Sequence, residues 1–264
     1  MIEYAFKDKD DILYKLNDAI IVQPAKGSLS LGDDVFTFEN RIVENSFLHG
    51  AVKLGKTRIT SREVSIRFSR ALSEDYTIFK TAENALLTAL LKAVYLIDVT
   101  NSLQVPIAIT KYPINYDPGA YQESSDNEIV LTLLKPFWES TIKDTESDTL
   151  SIDINTLIIN NQGALTVPPI ITFTATVGVT QIQIYVDETK EGIRIDDSLF
   201  GESGYGTLII DCKEGTIKIG TLDRISSVLT GTGYFQLPVG SSDLIIIPTA
   251  VCYIEVDWYK RYYL

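Results

Sequence analysis

Short runs of alternating apolar and polar residues, separated by glycine, proline, asparagine and aspartate, recur along this 264-residue chain. In 62–69 (REVSIRFS), Val64, Ile66 and Phe68 fall on one side of an extended strand and polar residues on the other. This period of two is typical of a half-buried antiparallel strand. Similar signals occupy 19–23, 34–39, 128–134, 170–177, 181–187, 207–212, 216–220, 244–248 and 251–259. The sequence therefore predicts a mainly β protein.

One segment has the period of a helix. Across 74–93, apolar residues such as Phe79, Leu86 and Leu90 recur at spacings of three and four, and Ser73 is a suitable N-cap. No other stretch predicts a long helix. A lone amphipathic helix in a strand-rich domain most simply covers a sheet or its edge.

A change in composition divides the chain. Residues 138–150 (WESTIKDTESDTL) are polar and charged, which is typical of a linker, and turn residues follow the next strand signal at 151–160. We predict two domains: 1–145, with strands and the helix, and 146–264, which is nearly pure β. Whether the final strand, with Trp258 and Tyr259, packs back on the first domain stays open.

The charge balance limits the partners. The formal net charge is −12, whereas binding of bare nucleic acid requires basic surface that replaces counterions. No apolar run reaches the ~20 residues of a membrane-spanning helix. We therefore expect neither a nucleic acid nor a membrane as partner.

Residues for catalysis or metal binding are scarce. His49 is the only histidine, and its setting before a glycine predicts a structural role. Cys212 and Cys252 lie forty residues apart, which is no metal motif, and we expect buried free thiols. The acidic groups at 8–11 and 196–198 lack the glycine and the final glutamate of a calcium loop, so we expect solvated turns. No cofactor and no metal are predicted.

Two glycine-rich stretches resemble known motifs only superficially. In 201–206 (GESGYG) the last glycine comes one residue too late for a nucleophile elbow, and a strand signal follows where a helix is needed. We predict a hairpin turn there. The stretch 230–236 (TGTGYFQ) contains only GxG and leads into extended chain, so it forms no phosphate-binding loop.

Several longer stretches, taken in order, resemble one family. They are 49–69 (HGAVKLGKTRITSREVSIRFS), the helix at 74–93 followed by YLIDVTN, 128–140 (EIVLTLLKPFWES), 207–220, 233–248 and 251–264. In this order the chain resembles the distal tail (Dit) proteins of long-tailed phages, siphophage-type components of the tail tip or baseplate hub. The resemblance covers nearly the whole chain.

The resemblance implies both a fold and a role. The fold is a ring-forming β-sandwich domain with one flanking helix, followed by a second β-sandwich domain that is galectin-like or OB-like. The role is that of a non-enzymatic virion protein, assembled in the host cytoplasm. Six copies form a ring at the tail tip that joins the tail tube protein to the tail-tip hub protein and offers docking sites for receptor-binding proteins.

A basic hairpin is the candidate subunit interface. Residues 47–68 contain Gly50 and Gly55, which permit a turn, and the most basic stretch of an acidic chain. The proposed interface residues are Lys53, Lys56, Arg58 and Arg62. A basic arm on an acidic neighbouring copy would orient the subunits. The alternative is a solvated hairpin whose charges only protect a sheet edge.

Two other functions stay open. The first is a carbohydrate-binding or adhesin module, in which exposed aromatic residues of the C-terminal domain grip host cell-wall sugars. The second is a glycan hydrolase, which needs two carboxylates facing each other in a cleft. The sequence singles out no such pair.

Overall fold

The computed structural model describes residues 4–15, 22–24, 35–45, 50–70, 76–111, 127–175, 178–202 and 206–263. Contacts divide the chain into two compact units. Unit 1 is Met1–Trp138 together with Leu264, and unit 2 is Glu139–Tyr263. The described residues form many strands and one α-helix, which confirms the predicted, mainly β fold class.

Unit 1 is built around an antiparallel sheet. Its elements are β1 (Tyr4–Asp8), β2 (Leu13–Lys15), β3 (Val22–Pro24), β4 (Val35–Asn45), β5 (Gly50–Arg70), α1 (Tyr76–Lys92), β6 (Ala93–Asp98), β7 (Leu103–Lys111) and β8 (Asn127–Leu133). Within this unit the strand order is β2-β1-β6-β7-β8-β5, and both β3 and β4 pair with β5. Alternate residues of β8 (Ile129, Leu131 and Leu133) are buried, as the period of two predicts.

The helix α1 covers part of this sheet. Leu86 and Leu90, four residues apart, are 4% and 3% exposed, and the helix contacts β1. The predicted helix is thus confirmed. It begins two residues after the expected start at 74 and ends one residue before the expected end at 93. Its expected N-cap, Ser73, lies outside the described residues. In the part of the chain that the structure describes, no helix is long and apolar enough to span a bilayer.

Unit 2 is a β-sandwich. Its elements are β9 (Phe137–Leu150, which enters this unit at Glu139), β10 (Asn155–Asn161), β11 (Ile170–Thr174), β12 (Gln181–Val186), β13 (Gly192–Asp196), β14 (Thr207–Asp211), β15 (Thr216–Ile219), β16 (Leu222–Asp223), a 3-10 helix (Ile225–Ser227), β17 (Gly240–Pro248) and β18 (Cys252–Tyr263). One sheet has the order β16-β15-β14-β11-β18-β9, and the other has the order β10-β17-β12-β13. Both sheets contribute to one apolar core, for example Phe173 from the first and Ile184 from the second, each 0% exposed.

The ten strand signals all overlap strands, but the predicted linker is wrong. Residues 137–150 form β9, which pairs with β18. The stretch has a linker-like composition because Thr141–Thr149 are mostly exposed, so polar side chains meet no penalty there. Backbone pairing with a neighbouring strand, which composition does not reveal, makes it a strand. The predicted domain boundary between residues 145 and 146 stays a prediction, because it concerns which segments fold on their own.

The glycine-rich stretch 201–206 is not a hairpin turn. The strands on either side of it, β13 and β14, belong to different sheets, so the chain crosses the sandwich here. Gly201 has a φ of 86°, a value that favours glycine. Residues 203–205 lie outside the described residues.

Candidate functional sites: the β4–β5 arm and the surface of unit 2

The basic stretch lies within a long strand. The expected turn at Gly55 is wrong, because β5 runs from Gly50 to Arg70 and pairs with β4 up to Asn45↔Gly50. The segment 46–49, which precedes Gly50 and joins β4 to β5, lies outside the described residues. The register shifts between Glu39↔Arg58 and Arg41↔Leu54, so β5 has extra residues around Gly55. A glycine inside a strand commonly marks such a bulge. His49 lies outside the described residues.

The two sides of β5 are paired unequally. On one side it pairs with β4 over Gly50–Glu63 and with β3 over Phe68–Arg70. On the other side β8 pairs with Arg62–Phe68 only. Among the described residues, no strand pairs with this second side over 50–61. We call β4 together with residues 50–61 of β5 the arm.

The four predicted interface residues fall into two settings. Lys53 and Arg58 lie opposite Ile42 and Glu39 of β4, and Lys56 lies at the bulge. All three belong to the part of β5 with one unpaired side. Arg62 lies opposite both Phe36 and Leu133, so its backbone is paired on both sides. Three of the four residues thus lie where, in the described part of unit 1, only one side of β5 is paired.

Three carboxylates are buried among the described residues of unit 2: Glu139, Asp197 and Asp257. Glu139, whose side chain is 9% exposed, lies 3.2 Å from the Arg261 guanidinium and 3.2 Å from the Lys213 Nζ. Asp257 accepts hydrogen bonds from the Lys143 Nζ at 2.8 Å and the Thr145 Oγ1 at 2.6 Å. Both groups tie β9 to the rest of the sheet. The carboxylates are neutralised by fixed cations, which is typical of structural ion pairs.

Asp197 corrects the prediction of a solvated turn at 196–198. Its side chain is 1% exposed, and it accepts hydrogen bonds from the Arg224 Nε at 2.7 Å, from the Ser227 hydroxyl and from the Leu199 N–H at 2.9 Å. Burial favours a raised pKa for Asp197, but these hydrogen bonds outweigh it and hold the pKa below its ordinary value. Sequence could not reveal this, because Arg224 and Ser227 are about thirty residues away. The turn at 8–11, in contrast, is mostly exposed, as predicted.

Both thiols are free, as expected; Cys252 is buried, whereas Cys212 is only partly buried. Burial raises the pKa of Cys212 and of Cys252 to about 11. Such thiols are poor nucleophiles near neutral pH. No group of three His, Cys, Asp or Glu residues that could hold a metal ion occurs in the described ranges.

An open cavity of about 590 Å³ lies at the β12–β13 turn. Its walls include Gln183, Tyr185, Glu191 and Thr232. The Lys190 Nζ lies 5.8 Å from the centre of the Tyr185 ring and forms an ion pair with Asp187. A sugar could stack on that face of Tyr185 only after Lys190 moves aside. The cavity therefore gives little support to the carbohydrate-binding hypothesis.

Comparisons with known proteins identify unit 2. Residues 162–262 match the family model described as "Siphovirus-type tail component, C-terminal domain". Residues 162–262 are thus similar to the C-terminal domain of siphovirus-type tail components. This confirms the resemblance to the distal tail proteins and the expected place in a phage tail. No curated protein matches the sequence.

One solved structure extends the likeness to the fold of the chain. The crystal structure of the phage SPP1 Dit protein, described as a paradigm of the hub adsorption apparatus in phages that infect Gram-positive bacteria, has a TM-score of 0.67 at 10% identity. The alignment covers 98% of each chain. A structure of the phage P2 baseplate in its activated conformation also matches, with a TM-score of 0.49, 9% identity and coverage of 97% and 98%. At such identities the SPP1 likeness concerns the fold alone.

Proposed function

We propose that this tail component is a distal tail subunit. It acts as a structural protein, six copies of which form a ring that joins the tail tube to the tail-tip hub and offers docking sites for receptor-binding proteins. The observation that carries this proposal is the tail-component domain at 162–262, within a chain whose fold follows the SPP1 Dit protein along 98% of its length.

The arm supplies a means of joining copies. A closed ring needs one surface of each subunit to meet a different surface of the next. A strand edge suits this purpose because an added strand satisfies its backbone N–H and C=O groups. The side of β5 with which no described strand pairs over 50–61 is such an edge.

Charge supports the same role for the arm. Lys53, Lys56 and Arg58 lie within it, whereas the chain as a whole has a net charge of −12. Unlike charges on neighbouring copies speed association and fix its orientation. The attraction weakens in salt, because exposed charges are screened.

Charge reversal in the arm tests the proposal. We expect wild-type protein to form multimers of defined mass by light scattering after size exclusion, and Lys53→Glu with Arg58→Glu to lower that mass, most clearly at low salt. Arg62 is kept, because its strand position is paired on both sides. The control, Lys9→Glu with Lys218→Glu, changes the net charge equally at two exposed positions.

Each result has a distinct meaning. An unchanged multimer mass in the arm variant would overturn the role of the arm. Wild-type protein that stays monomeric at high concentration, with no rings in negative-stain images, would overturn the ring itself. Specific binding of unit 2 to a glycan array would instead favour the carbohydrate-binding alternative.

A further inference from the structure

Among the described residues of unit 2, one outer strand has an unprotected edge. Natural sheets protect their edges with short strands, charges, bulges or a covering segment, because an exposed edge invites pairing with another chain. The outer strand β16 has two residues. At β9, which is the last strand of the first sheet within unit 2, Asp144, Glu146 and Asp148 lie along a mostly exposed stretch.

The outer strand β13 is covered by the chain itself. The Leu229 N–H donates to the Arg194 carbonyl, and the Gly233 N–H donates to the Gly192 carbonyl, each at 2.9 Å. Residue Ile195 also forms a bridge with Val228. Residues 228–233 thus occupy the outer edge of β13.

The remaining outer strand, β10, has none of these devices. It has seven residues, Asn155–Asn161 (NTLIINN), with no charge and no proline. Its register with β17 is continuous from Asn155↔Ile246 to Asn161↔Gly240, without a bulge. Among the described residues, Thr156–Asn160 form no backbone hydrogen bond with any strand except β17.

The outward face beside this edge is apolar. Ile154 and Ile158 are 68% and 62% exposed. On the next strand, β17, Ile245 is only partly buried. It pairs with Thr156 of β10 on one side and with Tyr185 of β12 on the other. Exposed apolar surface next to a bare edge marks an interaction site.

We infer that the β10 edge receives the arm of a second copy of this chain by strand addition. This inference rests on the proposed ring, and it names the surface that the arm meets. As far as the structure describes the chain, each partner is a strand with one side unpaired, and 50–61 is long enough to cover the seven residues of β10. Alternate side chains of the added strand would cover Ile154 and Ile158.

Charge favours the arm as the occupant. The arm strand carries Lys53, Lys56 and Arg58, whereas β10 itself is uncharged and therefore repels none of them. The surroundings of β10 are acidic: Asp148 and Asp153 are exposed, and Asp243, opposite Ile158, is partly exposed. Residues 146–264 contain 15 acidic and 7 basic residues, a difference of −8.

A pair of substitutions at one exposed position tests the contact. Asn160 is exposed on β10. We expect Asn160→Lys to weaken association at low salt by at least tenfold and Asn160→Asp to leave it unchanged or strengthen it. The matched control is Ser147→Lys on β9, which also replaces an exposed, uncharged polar residue by lysine. Thermal unfolding of each variant shows whether the fold is retained.

Cysteine cross-linking gives a second readout. Thr57→Cys and Thr156→Cys proteins, mixed and mildly oxidised, are expected to form a disulfide-linked dimer that neither forms alone; Lys53→Cys and Ser61→Cys sample other registers. A dimer of Thr156→Cys alone would show β10 pairing with itself and overturn the inference. If Asn160→Lys protein forms multimers as well as wild type does, and the mixed cysteine variants give no cross-link, the β10 contact is overturned while the ring stands. A monomeric wild-type protein would refute the ring.

Discussion

Asp197 allows a quantitative test of how unit 2 is held together. Its carboxylate is buried and accepts hydrogen bonds from Arg224, Ser227 and the Leu199 N–H. Removal of one partner from a buried ion pair costs about 3–5 kcal/mol. The Arg224 side chain is 31% exposed and can regain water, so we take the lower end. We expect Asp197→Ala to lower the free energy of unfolding of unit 2 by about 3 kcal/mol.

The conservative variant should cost less. Asp197→Asn keeps the shape of the side chain and an acceptor for the Leu199 N–H, but its amide cannot accept from Arg224 at the nitrogen end. We expect a loss of about 1–2 kcal/mol. The control is Asp187→Ala, which breaks the exposed ion pair with Lys190 and should cost less than about 1 kcal/mol.

Urea unfolding followed by tryptophan fluorescence measures these differences. The chain has two tryptophans, and Trp258 is 3% exposed in the core of unit 2. A Trp138→Phe background therefore reports on unit 2 alone. If Asp197→Ala costs no more than Asp187→Ala, the buried carboxylate does not fasten the 3-10 helix to the sandwich, and the reasoning is refuted.

Three further predictions concern unit 2. Hydrogen bonds lower the pKa of Asp197, so the carboxylate stabilises the fold fully above its unfolded pKa of about 3.8, and this stabilisation is lost as pH falls through the lower folded pKa. The difference in free energy of unfolding between wild type and Asp197→Asn should therefore shrink below about pH 4, and a constant difference would contradict this. Cys212 and Cys252, with pKa values of about 11, should react with a thiol reagent at pH 8 at least tenfold faster in urea than in the native protein; equal rates would disprove their protection. A fragment that begins at residue 136 should have a higher urea midpoint than one that begins at Ser147, because only the longer fragment keeps Glu139 and Lys143; equal midpoints would show that β9 adds nothing to unit 2.

Local pattern determined most of the elements of this protein. The alternation in 181–187 predicts β12, since the period of two reflects a sheet with one buried face and holds wherever such a strand lies. The spacing of Leu86 and Leu90 predicts α1 in the same way. The order of these features was enough for the resemblance to the distal tail proteins.

Only the tertiary structure decided which polar segments are ordered and which edges are bare. The composition of 138–150 is that of a linker, yet pairing with β18, more than a hundred residues away, makes it β9. The same holds for Asp197, whose partners are distant in sequence, and for the arm, where β5 extends past its pairing with β8. Strand neighbours and buried ion pairs form between segments far apart in the chain, so no local pattern records them.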